Sequence, residues 1–376
     1  MCINIDKAEG VWVYDETGKR YLDCQTAFSA VSFGHNHPRI NDAITKQAKK
    51  ITEVPNVRSS EHYKPLVNEL CRLSGFDTAL LVGSINGAIK SAIDIAYNWG
   101  QIVKGVNKER AEIILCHSHI HYLLELELDD NQDEQTFSKY NRVAINDVDN
   151  LEQVLTIDSV TLILEPIQVL PEVTISTSDY LHAVRDFCKE HNLLFIMDET
   201  LTSLGRMGTL FIHETVGIRP DLLLLGNTLT GGTYPLAAIL SVYNVIDQFS
   251  QTNYENLDNP DCFPMAGSAA RAAIQLLVED NLVERSRKMG AYFLKRLNQL
   301  HCSSIEAIFG QGLFLVVEFY KDIKTQRIKE ALMRQGILCR QVGDHAIALS
   351  PPLIITEEEI DWGVDRMNVV FTLMGH

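Results

Sequence analysis

The chain has 376 residues, 46% of them hydrophobic and 22% charged, enough apolar material for a large core spread over several lobes. With 33 Lys+Arg against 49 Asp+Glu, the net charge is −16, which excludes a general affinity for nucleic acid or anionic membrane. The 8 cysteines show no CxxC and no paired spacing, as for thiols in a reducing compartment rather than a disulfide framework or zinc site.

The opening "MCINIDKAEG" has no basic region followed by an apolar one, so no signal peptide is expected. No apolar run approaches the roughly 20 residues that span a bilayer. A cytoplasmic protein without membrane contact is the expectation.

In chain order, "GVWVYDETGKRYLD" predicts a hairpin, with Val11, Val13, Tyr21 and Asp23 flanking the turn residues Glu16-Thr17-Gly18. "RINDAITKQAKKI" has helical spacing. From Thr78, apolar runs alternate with amphipathic helices: "TALLVG", "AEIILC", "SVTLILEP", "LLFIMDE" and "DLLLLG" read as strands. The helix "DYLHAVRDFCKEHN" puts Leu181, Val184 and Cys188 on one face. Continuous Leu/Ile/Val runs between such helices predict a doubly wound, mainly parallel α/β sheet buried on both faces.

A long helical stretch follows from Ser268, then the strand "GQGLFLVVEFY" and the closing "ITEEEIDWGVDRMNVVFTLM". They form a smaller α+β lobe that packs with the N-terminal hairpin. The expected division is 1–40 as hairpin, small-lobe and interface segment, 41–266 as the large α/β domain, and 267–376 as the C-terminal small domain.

Ligands of open parallel sheets bind beyond the carboxyl ends of the strands. Four such ends are polar or carry glycine here: Gly83-Ser84, Glu165 through Gln168, Asp198-Glu199 and Gly226-Asn227. A carboxylate closing an apolar strand is costly to bury unless it meets a cation or a donor. Asp198 therefore suits a protonated ring nitrogen or an arginine, with a plain helix cap as the rival reading.

Two other features carry less weight. His117, His119 and His121 share one face if "CHSHIHY" is a strand, but neighbours two apart lie about 6–7 Å from each other; no metal site is expected. The acidic "DDNQDEQ" reads as a solvated loop.

The segments "YLDCQTAFSAVSFGHNHPRINDAI", "EPIQ", "MDETLTSLGRMGTLFIHETVGIRPDLLLLG", "LTGGTYPLAAIL" and "PPLIITEEEID" together resemble the class III, ornithine/acetylornithine-like aminotransferases, over nearly the whole chain. The resemblance implies fold type I of the pyridoxal-phosphate (PLP) enzymes and a homodimer with active sites at the subunit interface. Asp198 matches the aspartate that keeps the pyridine nitrogen protonated, making the cofactor an electron sink. Glu165 and His121 also sit at matching positions.

Asn227 falls where the family has the lysine that forms the Schiff base, and an amide cannot form that imine. The phosphate cup reads Ser84-Ile85-Asn86-Gly87, with a branched residue where the family has glycine. Ile120 takes the place of the ring-stacking aromatic, Leu201 that of a glutamine at the phenolic oxygen, and Cys262 that of the threonine reaching the partner's phosphate. Ala348 aligns with the arginine that precedes the closing Pro-Pro, and the family's N-terminal substrate-covering segment is expected to be absent.

Departures at phosphate, ring, imine and substrate favour a homologue that no longer transaminates: a pseudoenzyme, or a subunit repurposed to bind a metabolite or a partner protein. It would hold no cofactor, or PLP or its amine form PMP non-covalently. Two alternatives remain open. One is an enzyme of changed chemistry in the same cleft, with non-covalent PMP or PLP or no cofactor. The other is an aminotransferase acting on ornithine-like amino acids.

Overall fold

The N-terminal turn chemistry builds the expected hairpin and adds a strand to it. In the computed structural model, which describes residues 3–52, 60–116, 140–170, 172–242, 245 and 264–374, β1 (Ile5–Glu9), β2 (Trp12–Asp15) and β3 (Arg20–Asp23) form an antiparallel meander. The Asp15 carboxylate accepts the backbone N–H of Thr17 (2.9 Å) and of Lys19 (3.0 Å), and Gly18 supplies the left-handed φ of 82° that closes the turn. Helices α1 (Pro38–Ala48) and α2 (Ser60–Ser74) lead into the central sheet.

That sheet contains all five apolar runs read as strands. They are β4 (Thr78–Val82), β5 (Glu112–Cys116), β7 (Ser159–Leu164), β10 (Leu194–Asp198) and β11 (Leu222–Leu225). The short β6 (Tyr140–Arg142) and the strand β12 (Ala237–Ser241) complete it, in the order β4-β12-β11-β10-β7-β5-β6. β12 runs antiparallel to both neighbours, and the remaining pairs are parallel.

Every residue of β7, β10, β11 and β12 is buried. In β11, Leu223 and Leu225 enter one core while Leu222 and Leu224 enter the other, so the leucine run serves both faces. Helix α3 (Ile85–Trp99) covers the second face with Ala88, Ile89, Ala92 and Ile93. The helix Ser178–Glu190 covers the first with Leu181, Val184 and Cys188.

Past the sheet, β8 (Ile167–Gln168) and β9 (Thr174–Ile175) make a small ribbon. The long helical stretch is not continuous: Asn281, at φ 50°, divides it into the helices Pro264–Glu279 and Leu282–Leu297. Asparagine is one of the few residues that tolerates that left-handed conformation.

The small lobe is a second antiparallel sheet. It holds β13 (Ile305–Gln311), β14 (Phe314–Phe319), β16 (Arg340–Val342) and β17 (Ala346–Leu349) in the order β13-β14-β17-β16. Arg340 stands opposite Ala348 across the β16–β17 ladder. β15 (Ile337–Leu338) pairs in parallel with β3, which joins the N-terminal hairpin to the C-terminal lobe. Among the described residues, no helix is long and apolar enough to cross a membrane.

Candidate active site

The carboxyl ends of β7, β10 and β11 open on one cavity of about 470 Å³. Glu165, Asp198 and Asn227 line it together with Ile85 and Asn86 at the start of α3 and Leu201 on the β10 side. The volume suits a cofactor-sized ligand.

Each group is placed by its strand. The Glu165 N–H donates to the Cys116 carbonyl at 3.1 Å, extending the ladder one residue beyond β7. Asp198 ends β10 opposite Leu224 and is 2% exposed, and its carboxylate accepts the Thr200 N–H at 2.9 Å. Asn227 opens a short 3₁₀ turn after β11, and its Oδ1 is buried with no hydrogen-bond partner among the described residues.

Gly231, at φ 63°, ends that turn where a Cβ would press on Ile40 and Phe33. The glycine is therefore needed for close packing against the first turn of α1 and Phe33 before it.

Two of the expected residues have other duties. Ser84 is exposed and absent from the cavity wall; its hydroxyl caps α3 by accepting the Gly87 N–H at 3.0 Å. Glu199 points away from the cavity. Its carboxylate accepts the N–H groups of Ile212 (2.7 Å) and His213 (3.1 Å) and meets His213 Nδ1 at 3.0 Å, so it holds the short helix Ile212–Thr215. Ile120, His121 and Cys262 lie outside the described residues, as do His117, His119 and the acidic segment 129–135.

The structure adds Arg340, which no motif singled out, to the wall that Leu201 shares. Leu201 packs with Ile167, Val169 and Ala348 in an apolar cluster under the β8 side. Arg340 reaches the cavity from the small lobe and lies over the ring of Phe28, 3.6 Å from its centroid. Burial pulls the Arg340 guanidinium down to about 10, and the charge of Glu165 pulls the other way.

These residues fit a phosphorylated pyridine held by non-covalent contacts. Asp198 offers the anion that a protonated ring nitrogen needs, and the first N–H groups of α3 offer donors for a phosphate. Asn227 presents an acceptor with no partner among the described residues, and its amide offers no basic amine for a covalent link.

The chain is similar to known proteins along nearly its whole length. The family model of class III aminotransferases matches residues 1–122 and 117–371. Ornithine aminotransferase 2 of Staphylococcus aureus is 35% identical over 376 residues, covering 98% of this chain and 94% of the relative. The solved ornithine aminotransferase of Plasmodium yoelii superposes with a TM-score of 0.88 at 30% identity, covering 99% of this chain and 94% of that one. An acetylornithine aminotransferase of Elizabethkingia anophelis gives 0.89 at 30% identity over the same shares.

The expectation of a homologue that has given up transamination for binding alone is corrected by these relatives. Likeness to ornithine aminotransferases extends over 98% of this chain, and this chain has a strand-end cavity with the buried Asp198 on its wall. Departures at single contacts outweighed the intact frame in that expectation. The fold is PLP fold type I, and the chain belongs to the class III aminotransferases.

Proposed function

We propose that the chain transfers an amino group between an ornithine-like amino acid and a 2-oxo acid, using PLP and PMP held in the cavity without a covalent bond. The observation that carries this reading is the buried Asp198 at the end of β10, in a chain related to ornithine aminotransferases along its full length. When bound, the cofactor supplies an electron sink for the substrate's Cα.

The chain's own groups do the rest. Asp198 holds the proton on the ring nitrogen. The N-terminus of α3, at Ile85 and Asn86, holds the phosphate. Asn227 Oδ1 accepts a hydrogen bond from the bound amine. Glu165, which lines the cavity just beyond the end of β7, takes the proton from Cα. The apolar wall of Val169, Leu170 and Leu201 excludes water.

The test incubates the full chain with L-ornithine, 2-oxoglutarate and added PLP. Glutamate should form at a rate that saturates with PLP, while borohydride reduction followed by mass spectrometry should find no pyridoxyl group on the protein. Absence of glutamate with ornithine, acetylornithine and 4-aminobutyrate alike would overturn the proposal.

We place the working unit in the cytoplasm as a homodimer. Phe28 (56% exposed) and Leu170 (38% exposed) flank the cavity, and a second copy would cover them. Residues 24–38 are expected in that interface, and interfaces of obligate dimers bury more than about 2,000 Å². Sedimentation at micromolar concentration should give twice the chain mass; a monomer there contradicts the assignment.

A further inference from the structure

We propose that Arg340 is the residue that recognises the substrate's carboxylate, with Phe28 as the platform that orients it. This rests on the amino-acid substrate of the preceding reading, and three independent features of the structure converge on it.

The first is charge. Among the described residues lining the cavity, the charged side chains are Glu165, Asp198 and Arg340. Two carboxylates suit amines and a pyridinium; Arg340 is the one cation, and a carboxylate entering the cavity has no other counter-charge in that set.

The second is orientation. A guanidinium has its donors in its plane, so stacking its face on a ring leaves the N–H fork free to grip a carboxylate with two parallel hydrogen bonds. Arg340 lies over Phe28 at 3.6 Å from the centroid.

Phe28 itself is held there at a cost. Thr26, Ala27, Phe28 and Ser29 have φ of 43°, 45°, 57° and 67°, a run of four side-chain-bearing residues in the left-handed region. Such a conformation persists in a side-chain-bearing residue only where the surroundings impose it. They do so here. Asp23 accepts the N–H groups of Gln25 (2.9 Å) and Thr26 (3.1 Å), the Thr26 hydroxyl donates to the Ser350 carbonyl (2.8 Å), and the Thr228 hydroxyl donates to the Ser29 carbonyl (2.9 Å). The strained turn presents a half-exposed aromatic ring to one guanidinium.

The third is register. Arg340 sits directly across the β16–β17 ladder from Ala348. Directly opposed residues share a sheet face, with Cβ atoms about 4.5–5.5 Å apart. Ala348 is the position at which the resemblance places an arginine before the closing Pro-Pro. A guanidinium lost from β17 is thus available on the same face from β16.

The test measures binding rather than turnover, by calorimetry on the full chain with three probes. L-ornithine carries two amines and a carboxylate, 1,4-diaminobutane the amines alone, and glutarate carboxylates alone. Arg340→Gln should weaken ornithine and glutarate by about 10–100-fold, the loss of one charge-assisted bidentate contact, and leave diaminobutane unchanged or tighter. Arg340→Lys should fall between, since an ammonium lacks the fork. Phe28→Leu, which removes the platform and keeps the charge, should cost about 3–10-fold.

Equal binding of ornithine and glutarate by the wild type and Arg340→Gln overturns the assignment, as does parallel loss of all three probes or no binding of any of them by the wild type. Glutarate binding that depends on Arg340 without ornithine binding supports the carboxylate role and counts against the ornithine-like substrate instead.

Discussion

Arg206→Met is expected to destabilise the folded chain by about 3–5 kcal/mol, the range found when one member of a buried charged network is removed. Arg206 is fully buried. Its guanidinium donates to the Leu313 carbonyl (2.9 Å), the Pro351 carbonyl, the Ser32 hydroxyl (2.8 Å) and the Thr26 hydroxyl (3.4 Å). Burial lowers its pKa, and the Asp23 charge opposes that.

Those acceptors belong to three separate parts of the fold: the strained N-terminal turn, the β13–β14 hairpin, and the Pro-Pro segment after β17. Methionine fills similar volume but donates nothing, and each buried acceptor left without a donor costs about 1–3 kcal/mol. Arg206→Lys keeps the charge and one direction of donation, so its loss should be smaller. Urea unfolding followed by circular dichroism measures both. A midpoint for Arg206→Met equal to the wild type would show that the network contributes nothing net.

The central sheet was legible because its strands are buried on both faces, which requires unbroken apolar runs such as Leu222–Leu225. β12 escaped for the same reason in reverse. "LAAIL" is as apolar as its neighbours, and nothing in composition marks a strand as the antiparallel one. The break at Asn281 was hidden inside helical periodicity on both sides, and a single residue at positive φ leaves little trace in a pattern of apolar spacing.

Of the site, the strand-end residues Glu165, Asp198 and Asn227 were legible, since polar groups ending apolar runs stand out. Arg340 was not. It is one arginine on a three-residue strand, brought to the cavity by a pairing between distant segments, and no local spacing encodes that. Glu199 shows the converse. Beside Asp198 in sequence it looks equivalent, but successive residues leave a strand end in opposite directions, and its carboxylate is consumed by Ile212 and His213.

That difference between adjacent carboxylates sets the second large effect. Asp198→Asn is expected to lower amino-transfer turnover by about 10²–10³-fold, the usual loss when one preorganised electrostatic contact to the reacting system is removed. The amide keeps an oxygen where Asp198 accepts the Thr200 N–H, so the turn after β10 should stand and the melting temperature should change little. What disappears is the negative charge to which the proposed function assigns the protonation of the ring nitrogen. Affinity for PLP and PMP, followed by absorbance titration, should fall about 10–100-fold, the equivalent of one charge-assisted hydrogen bond.

The pH profile separates this from a packing defect. With the carboxylate gone, the ring nitrogen must take its proton from solvent, so the residual rate of Asp198→Asn should rise as pH falls. A packing defect would lower the rate without that slope. Glu199→Gln is the counter-case, because its contacts hold the helix Ile212–Thr215 rather than the cavity: it should lower the unfolding midpoint and leave cofactor titration near the wild type. If Asp198→Asn instead keeps more than half the wild-type turnover, the buried carboxylate at the end of β10 does not meet the ring nitrogen, and the cofactor must sit in the cavity in another orientation.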